Sequence, residues 1–286
     1  MCKSLWFLPF LAVAFTASAR ADNAQPCDSG TVEVLARWAG VKGKLVSRDE
    51  RGGLIAAAAC KAMPNAPSTM IAVIAFDTNH EEREPVGTGK KTQVVALVEA
   101  GKVVAANRST IIEDSGFAVG SYLIDTARYI LSRDVRAFGV VLYSSAHGNR
   151  CFEAHTDEYL SLWIREGEHL RAIFGTNLYG WNSLDGPLDR RCTQNANDDD
   201  TVRTEEARMT IGVEKTSSHG FADLSITAHV TEHYSGDESV TGKRTVRKAV
   251  KYNGQSYGFN ALRTFWWHPE RRYDEQDRTE QSGAFP

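Results

Sequence analysis

Beyond its first residues, the sequence of 286 residues lacks any long apolar stretch that is free of charge. A membrane-spanning helix needs ~20 predominantly apolar residues in succession. We therefore predict that the body of the chain has no membrane span. The sequence also lacks a G-x-S-x-G segment, the turn on which α/β-hydrolases expose their nucleophilic serine. That class of hydrolase is not indicated.

The N-terminus has the three parts of an export signal. Lys3 precedes an apolar run over residues 5–15, and a stretch of small residues ends at Ala21. A charged start, an apolar middle and an A-x-A ending are typical of a cleaved signal peptide. The run, which Pro9 interrupts, has roughly half the ~20 residues that a spanning helix needs. The pattern predicts a signal peptide over residues 1–21 and a periplasmic or secreted protein, with a buried N-terminal helix as the alternative.

The predicted mature chain has no excess of positive charge. Loss of Lys3 and Arg20 with the signal peptide leaves 31 of the 33 basic residues against 36 acidic ones, a formal net charge of −5. Proteins that bind nucleic acids in general are normally basic. We therefore predict no nucleic-acid partner.

Four cysteines follow the predicted signal peptide, and none of them forms a C-x-x-C pair. An even number of cysteines in an oxidising compartment favours two disulfides, for which three pairings are possible. We favour Cys27 with Cys60 and Cys151 with Cys192, because closure between sequence neighbours is common, and each bridge would add roughly 3 to 4 kcal/mol. The alternative, a four-cysteine metal site, needs the missing C-x-x-C pairs.

Residues 22–69 are predicted to form a helical N-terminal element. Apolar residues within 31–38 follow a helical spacing. Ser47 and Glu50 form a possible capping box before a second predicted helix over residues 54–62, and the prolines that follow would end it.

The rest of the chain favours antiparallel β-structure. Runs rich in β-branched residues are separated by turns, with few helical signals between them. Glycines predict hairpin turns within 98–103, 164–169 and, most strongly, at Asn253-Gly254. The predicted strands cover residues 71–76, 92–98, 103–106, 122–124, 137–144, 159–164, 170–174, 208–213, 222–234 and 245–252.

These elements predict an α+β fold that is mainly antiparallel β, sandwich or barrel-like, with a short helical N-terminal element. An acidic loop at 193–206 separates an antiparallel β region over 70–192 from a C-terminal β region over 207–267. Residues 268–286 have no apolar periodicity, which predicts a disordered tail.

Several segments resemble uncharacterised exported β-rich proteins of Gram-negative bacteria. The resemblance covers a minority of the chain. It implies export and a β-rich fold, and it implies no activity. The segments are Leu123-Ile124-Asp125-Thr126-Ala127-Arg128-Tyr129, Val135-Arg136-Ala137-Phe138-Gly139-Val140, Cys60-Lys61-Ala62-Met63-Pro64 and Leu162-Trp163-Ile164-Arg165-Glu166-Gly167.

His229-Val230-Thr231-Glu232-His233 matches H-x-x-E-H, a zinc-peptidase signature. The signature needs a helix, where positions i and i+4 share one face. Here apolar and polar residues alternate over 224–234, which predicts a strand, and four residues on a strand span about 13 Å. That separation is too large for one metal ion, so we predict no metal site at His229 and His233.

Two further motifs are better explained as ordinary turns than as phosphate-binding or catalytic sites. Residues 87–92 suggest a phosphate loop, but its first glycine and its hydroxyl are missing, so no cofactor is predicted. Ser144, Ser145 and His147 lie near Asp157 and Glu158 in the sequence, and such residues build acyl-transfer sites when a fold unites them. The segment Ser144 to Asn149 is more typical of a turn.

A basic stripe stands out in the otherwise acidic chain. Its cations are Arg244, Arg247, Lys248 and Lys251, with Lys243 beside them and aromatic residues following. Such a stripe suits an anionic polymer or an acidic partner. The alternative is a charge-protected edge strand whose aromatic neighbours belong to the core.

No coherent catalytic constellation emerges from the sequence. We therefore predict an exported, non-catalytic binding protein whose partner is an envelope protein or an anionic polymer. The alternative is an exported hydrolase that acts on cell-wall or extracellular polymer.

Overall fold

The computed structural model describes residues 25–78, 89–114, 116–146, 153–185, 192, 202–234, 239–259 and 262–268. The predicted signal peptide, most of the predicted acidic loop and nearly all of the predicted tail lie outside these residues, as do Cys151 and His147.

The described residues form one helix, α1, and thirteen strands. Each predicted strand overlaps an observed one. The elements are α1 Ser29–Ala39, β1 Lys44–Ser47, β2 Gly53–Met63, β3 Ala66–Phe76, β4 Gly89–Glu99, β5 Lys102–Glu113, β6 Val119–Ile130, β7 Arg136–Ser144, β8 Ala154–Glu166, β9 His169–Ser183, β10 Arg203–Ser218, β11 Phe221–Tyr234, β12 Gly242–Val250 and β13 Gly258–Phe259.

Helix α1 confirms the first predicted helix, and its ends show why it forms there. Asp28 caps the N-terminus, since its carboxylate accepts a hydrogen bond of 2.8 Å from the Thr31 amide. Gly40 ends the helix in a left-handed conformation, with φ at 71°. Leu35 and Ala36 are buried on the face that packs against the sheet.

The second predicted helix is wrong, because residues 54–62 belong to β2. This strand is covered on both faces. Ala57 and Ala59 face the core between the two layers of strands, whereas Ala58 and Cys60 face the core beneath α1. A strand buried on both sides is a continuous apolar run, which periodicity cannot distinguish from a helix.

The strands form a mixed, mainly antiparallel sheet with an open path. Its order is β1-β2-β3-β4-β5-β9-β10-β11-β12, and β6-β7-β8 joins it through β9. The link between β5 and β9 is one parallel residue pair, Ala106 with His169. Because the path is open, the sheet is not closed into a barrel, and the fold is a β-rich α+β fold.

Three apolar cores result from this arrangement. One lies between β2–β5 and β6–β8, and a second lies between α1 and the other face of β2–β5. The third lies within β6–β11 and is closed by the segment after β12, which contributes the aromatic residues Tyr252, Tyr257, Trp266 and Trp267.

The predicted turns at 98–103 and 164–169 are confirmed as the β4–β5 and β8–β9 hairpins. The hairpin predicted at Asn253-Gly254 is wrong. A turn does form there, with the Asn253 amide donating to Ser256 O, but the following strand β13 pairs with β9 and not with β12. Asn253 and Gly254 favour a turn. After it, Tyr257 is buried, and the chain continues beside β9.

The predicted Cys27–Cys60 disulfide is present, with 4.9 Å between the Cα atoms. Cys192 is also disulfide-bonded, while its predicted partner Cys151 lies outside the described residues. Beside the first bridge, the Gln25 carbonyl accepts from the Cys60 amide. The Gln25 side-chain amide hydrogen-bonds both Ile124 N, at 2.7 Å, and Ile124 O, at 3.1 Å. The N-terminal segment thus joins β2 to the edge of β6.

We expect Gln25→Ala to lower the free energy of unfolding by about 1–3 kcal/mol, because the part-buried Ile124 amide loses its partner. Urea denaturation measures this. Gln255→Ala is the matched control, since that exposed side chain makes no hydrogen bond within the described residues. Equal stability of the two variants would contradict the bridging role.

Candidate functional site

Arg244, Arg247 and Lys248 of the basic stripe lie on β12, at one end of the sheet path, and Lys251 follows that strand. Strand register divides it between two faces. Arg244 and Lys248 pair with Val230 and Ile226, which are core residues, whereas Arg247 lies on the opposite face. The four predicted binding cations therefore do not form one surface.

Arg244 is bound inside the protein. Its guanidinium forms ion pairs with Glu205 and, at 2.6 Å, with Glu232, and it donates to Trp266 O at 2.7 Å. Glu205 is fully buried. A buried carboxylate needs a charge partner, so Arg244 serves the core rather than an external ligand.

The other three cations are exposed. Arg247 donates to Glu214 and, at 3.2 Å, to Ser225 Oγ. Hydrogen bonds to the Glu214 carboxylate, first from Ser225 and then from Arg247, lower the pKa of that carboxyl. Lys251 is exposed just after β12, and Lys248 is exposed on the opposite face of β12 from Arg247. Position at the sheet edge and aromatic neighbours in the core favour the edge-strand alternative, and ligand binding by this stripe stays a prediction.

His229 and His233 lie on β11, so the predicted strand is confirmed. His229 is exposed beside Thr245, with 3.5 Å between Nδ1 and Oγ1. Glu232 points to the other face and pairs with Arg244. Within the described ranges, no group of three His, Cys, Asp or Glu side chains is placed to hold a metal ion.

A cleft of about 460 Å³ opens beside the start of β8. Its walls come from the β5–β6 loop, the end of β7, the first half of β8, the middle of β9 and the C-terminal segment. The lining residues are Gly116, Phe117, Leu142, Ser144, Ala154, His155, Thr156, Asp157, Tyr159, Asn177 and Arg263.

Hydrogen bonds fix the loop that forms one wall. Asp114 Oδ1 accepts from the amides of Gly116, at 2.7 Å, and Phe117, at 2.9 Å. Glu113 Oε1 accepts from the Val119 amide at 2.7 Å. Such side-chain acceptors are a common way to hold a turn, so both carboxylates have structural roles.

Glu113 is itself held by two cations. It lies fully buried, 2.9 Å from Arg48 Nη1 and 3.4 Å from Lys91 Nζ. Lys91 also pairs with Asp77 at 3.0 Å. This four-residue cluster anchors the base of the loop.

Asp157 is the cleft's negatively charged residue, and hydrogen bonds hold it in place. Its Oδ1 accepts a 2.8 Å hydrogen bond from the Ser144 amide, and its carbonyl accepts from Asn177 Nδ2 at 3.2 Å. Its other carboxylate oxygen has no hydrogen bond to any described residue. The next residue, Glu158, has φ at 55°, a conformation that is uncommon outside glycine and concentrates at ligand sites.

Tyr159 lies deeper, over a glycine. A Cβ atom at Gly175 would overlap the Tyr159 hydroxyl, so only glycine leaves room for this ring. Burial raises the pKa of Tyr159 above its ordinary value. The hydroxyl therefore stays protonated at neutral pH and is available as a hydrogen-bond donor.

Arg263 and His155 complete the polar lining. Arg263 is exposed at the cleft, and His155 is half-buried. Across the described ranges, neither side chain makes a hydrogen bond or an ion pair. The cleft thus holds an unpaired cation and an unpaired carboxylate oxygen.

The structure brings Ser144 and Asp157 together, but not as an acyl-transfer pair. Asp157 binds the Ser144 amide, while Ser144 Oγ accepts from the amides of Ala146, at 3.2 Å, and Ala118, at 3.4 Å. The histidine considered from the sequence, His147, lies outside the described residues. His155, which sequence analysis missed, lines the same cleft.

A signal for His155 was present in the sequence. His155, Asp157 and Tyr159 alternate along the start of β8. Because successive side chains of a strand point to opposite faces, a period of two places these three on one face. Asn177 and Arg263 carry no comparable signal.

No protein-family model, curated protein or solved structure matches the chain. In the part that the structure describes, no helix has the length and apolar character needed to cross a membrane.

We expect Arg244→Ala to lower the free energy of unfolding by about 3–5 kcal/mol, since it leaves the buried Glu205 carboxylate without its charge partner. Arg247→Ala on the same strand is the control. Its side chain is 61% exposed, so we expect a loss below about 1 kcal/mol. Denaturant titration measures both, and similar losses would contradict the division of the stripe into an inner and an outer face.

Proposed function

We propose that this protein works outside the cytoplasm as a non-catalytic binding protein, with the cleft beside β8 as its ligand site. The observation that carries the proposal is the presence of unpaired polar groups inside a preformed concavity. Ligand sites are typically clefts of roughly 300–1,000 Å³ with apolar walls and a few polar groups. Phe117 and Leu142 supply apolar surface here, and Asp157, Asn177 and Arg263 supply the polar groups.

Energetics support a binding role for these groups. A half-buried polar atom that lacks a hydrogen bond reduces stability unless water or a ligand satisfies it. The Asp157 carboxylate is held by the Ser144 amide with one oxygen left over. A group held in this way is preorganised for binding, which lowers the entropic cost of binding a ligand.

Location outside the cytoplasm is supported by the Cys27–Cys60 bridge together with the predicted signal peptide. Disulfides persist in oxidising compartments and are rare in the cytosol. An envelope protein or anionic polymer stays a second predicted partner for the exposed cations of the stripe. These are Arg247 and Lys251, with Lys248 on the opposite face of β12 from Arg247.

The test compares the native mature protein with the double variant Asp157→Asn, Arg263→Gln and with the control Arg128→Gln, an exposed arginine on β6 outside the cleft. A small-molecule extract of Gram-negative cell envelopes should raise the thermal unfolding midpoint of the native protein and of the control, because a ligand that binds only the folded state stabilises it. The cleft variant should not respond. An unchanged midpoint for all three proteins would contradict the proposal.

A hydrolase is the second candidate, because Ser144, His155 and Asp157 line one cleft. Nucleophilic catalysis by serine needs a base within hydrogen-bond reach of its hydroxyl. In this structure the Ser144 hydroxyl accepts from two backbone amides, and no hydrogen bond joins it to His155 within the described residues. The arrangement therefore favours binding.

We expect a fluorophosphonate probe to leave Ser144 unlabelled, since no described residue forms a hydrogen bond with that hydroxyl as a general base. Intact-protein mass spectrometry measures the label, with a serine hydrolase as positive control. Labelling that Ser144→Ala and His155→Gln both abolish would instead establish the hydrolase and overturn the non-catalytic proposal.

A further inference from the structure

The two charges of the cleft have opposite sign and do not neutralise each other. Asp157 belongs to β8, and Arg263 belongs to the segment after β13. Both line the cleft, yet no ion pair joins them in the described part of the chain. A ligand that contacts both must therefore present a cation or donor to one and an anion to the other.

The Asp157 carboxylate determines the chemistry of the first ligand group. With Oδ1 occupied by the Ser144 amide, its second oxygen can only accept hydrogen bonds. A carboxylate forms its strongest hydrogen bonds with charged donors, of which an ammonium group is the compact form. The neighbouring Tyr159 ring offers an aromatic surface to such a cation.

Arg263 defines the second group. A guanidinium has five donors and no acceptor, and its planar fork matches a carboxylate. Glu158, which follows Asp157 on β8, is paired with Arg208 at 3.3 Å, and within the described residues no ion pair joins it to Arg263.

Other ligand charges fit less well. An anion without a positive group would be repelled by Asp157, and a cation without a negative group by Arg263. A neutral polyol would leave both protein charges without a charged partner. The apolar part of the lining, Phe117 and Leu142, suits a hydrocarbon substituent.

We propose that the cleft binds a small zwitterion with a free ammonium group and a free carboxylate, such as an amino acid or a short peptide. The ammonium group faces Asp157, the carboxylate faces Arg263, and an apolar side chain contacts Phe117 and Leu142. This inference rests on the proposed binding function and names its ligand class.

Isothermal titration calorimetry tests the proposal with L-phenylalanine and the dipeptide Ala-Phe as probes. Each is compared with its N-acetylated form, which lacks the ammonium group, and its C-terminal amide, which lacks the carboxylate. The native protein should bind at least one free zwitterion and lose about 10- to 100-fold in affinity for each blocked form, the usual effect of losing a hydrogen bond to a charged group. The two probes distinguish a free amino acid from a peptide.

Matched variants assign each group. Asp157→Asn keeps an acceptor for the Ser144 amide, and Arg263→Gln alters a side chain with no bond to a described residue, so both should fold. Asp157→Asn should become indifferent to N-acetylation and Arg263→Gln to amidation. The control Arg128→Gln, which changes an exposed arginine on β6 outside the cleft, should bind as the native protein does.

Equal binding of free and blocked forms, or no binding of either zwitterion, would overturn the ligand class. If the envelope extract still stabilised the native protein and not the cleft variant, the binding function would stand with a different ligand. Failure of both experiments would remove both proposals.

Discussion

The third core and the C-terminal wall of the cleft depend on the contacts of one buried carboxylate, that of Glu205. Its Oε1 accepts from Asn182 Nδ2 on β9 and from the His268 amide, each at 2.7 Å, and Oε2 pairs with Arg244 on β12. One carboxylate thereby ties the central strand, the edge strand and the C-terminal segment together. Since an isolated charge in an apolar interior is very costly, these contacts must form together, which makes packing of this region cooperative.

The position of Arg263 follows from that packing. Trp266 is fully buried, its carbonyl is held by Arg244, and its ring lies against Gly180, where an added Cβ would come within 3.0 Å of the indole. Arg263 lies three residues before Trp266 in the sequence. The cleft therefore draws one charge from the strand framework and the other from a segment that is in place only when the third core is complete.

Most of the strands and α1 could be predicted from the sequence, because half-exposed strands alternate and Asp28 and Gly40 mark the helix ends. Strand β2 could not, since layers on both sides remove its alternation. The cations of the basic stripe are close in the sequence, which suggested one binding surface. The period of two in β12 places Arg244 and Arg247 on opposite faces. The cleft could be predicted only in part: His155, Asp157 and Tyr159 share a strand face, but Phe117 and Arg263 meet them through contacts between distant parts of the chain, which no local pattern encodes.

The narrow connection between β5 and β9 affects how the protein unfolds. The leaf formed by α1 and β1–β5 meets the rest of the sheet backbone through Ala106 and His169, reinforced by Asn107 Nδ2 donating to Leu170 O at 3.1 Å. This leaf is also held by the apolar core between the layers and by side-chain hydrogen bonds to β6. These include the Gln25 bridge to Ile124, Lys61 Nζ donating to Ile124 O at 3.2 Å and the Tyr122 hydroxyl donating to Gln93 Oε1 at 2.7 Å. Proteins open in contiguous cooperative units whose borders follow sparse backbone pairing. The disulfide lies wholly within the first leaf, so it limits that leaf's own unfolding while leaving its separation from the cleft-bearing half unrestrained.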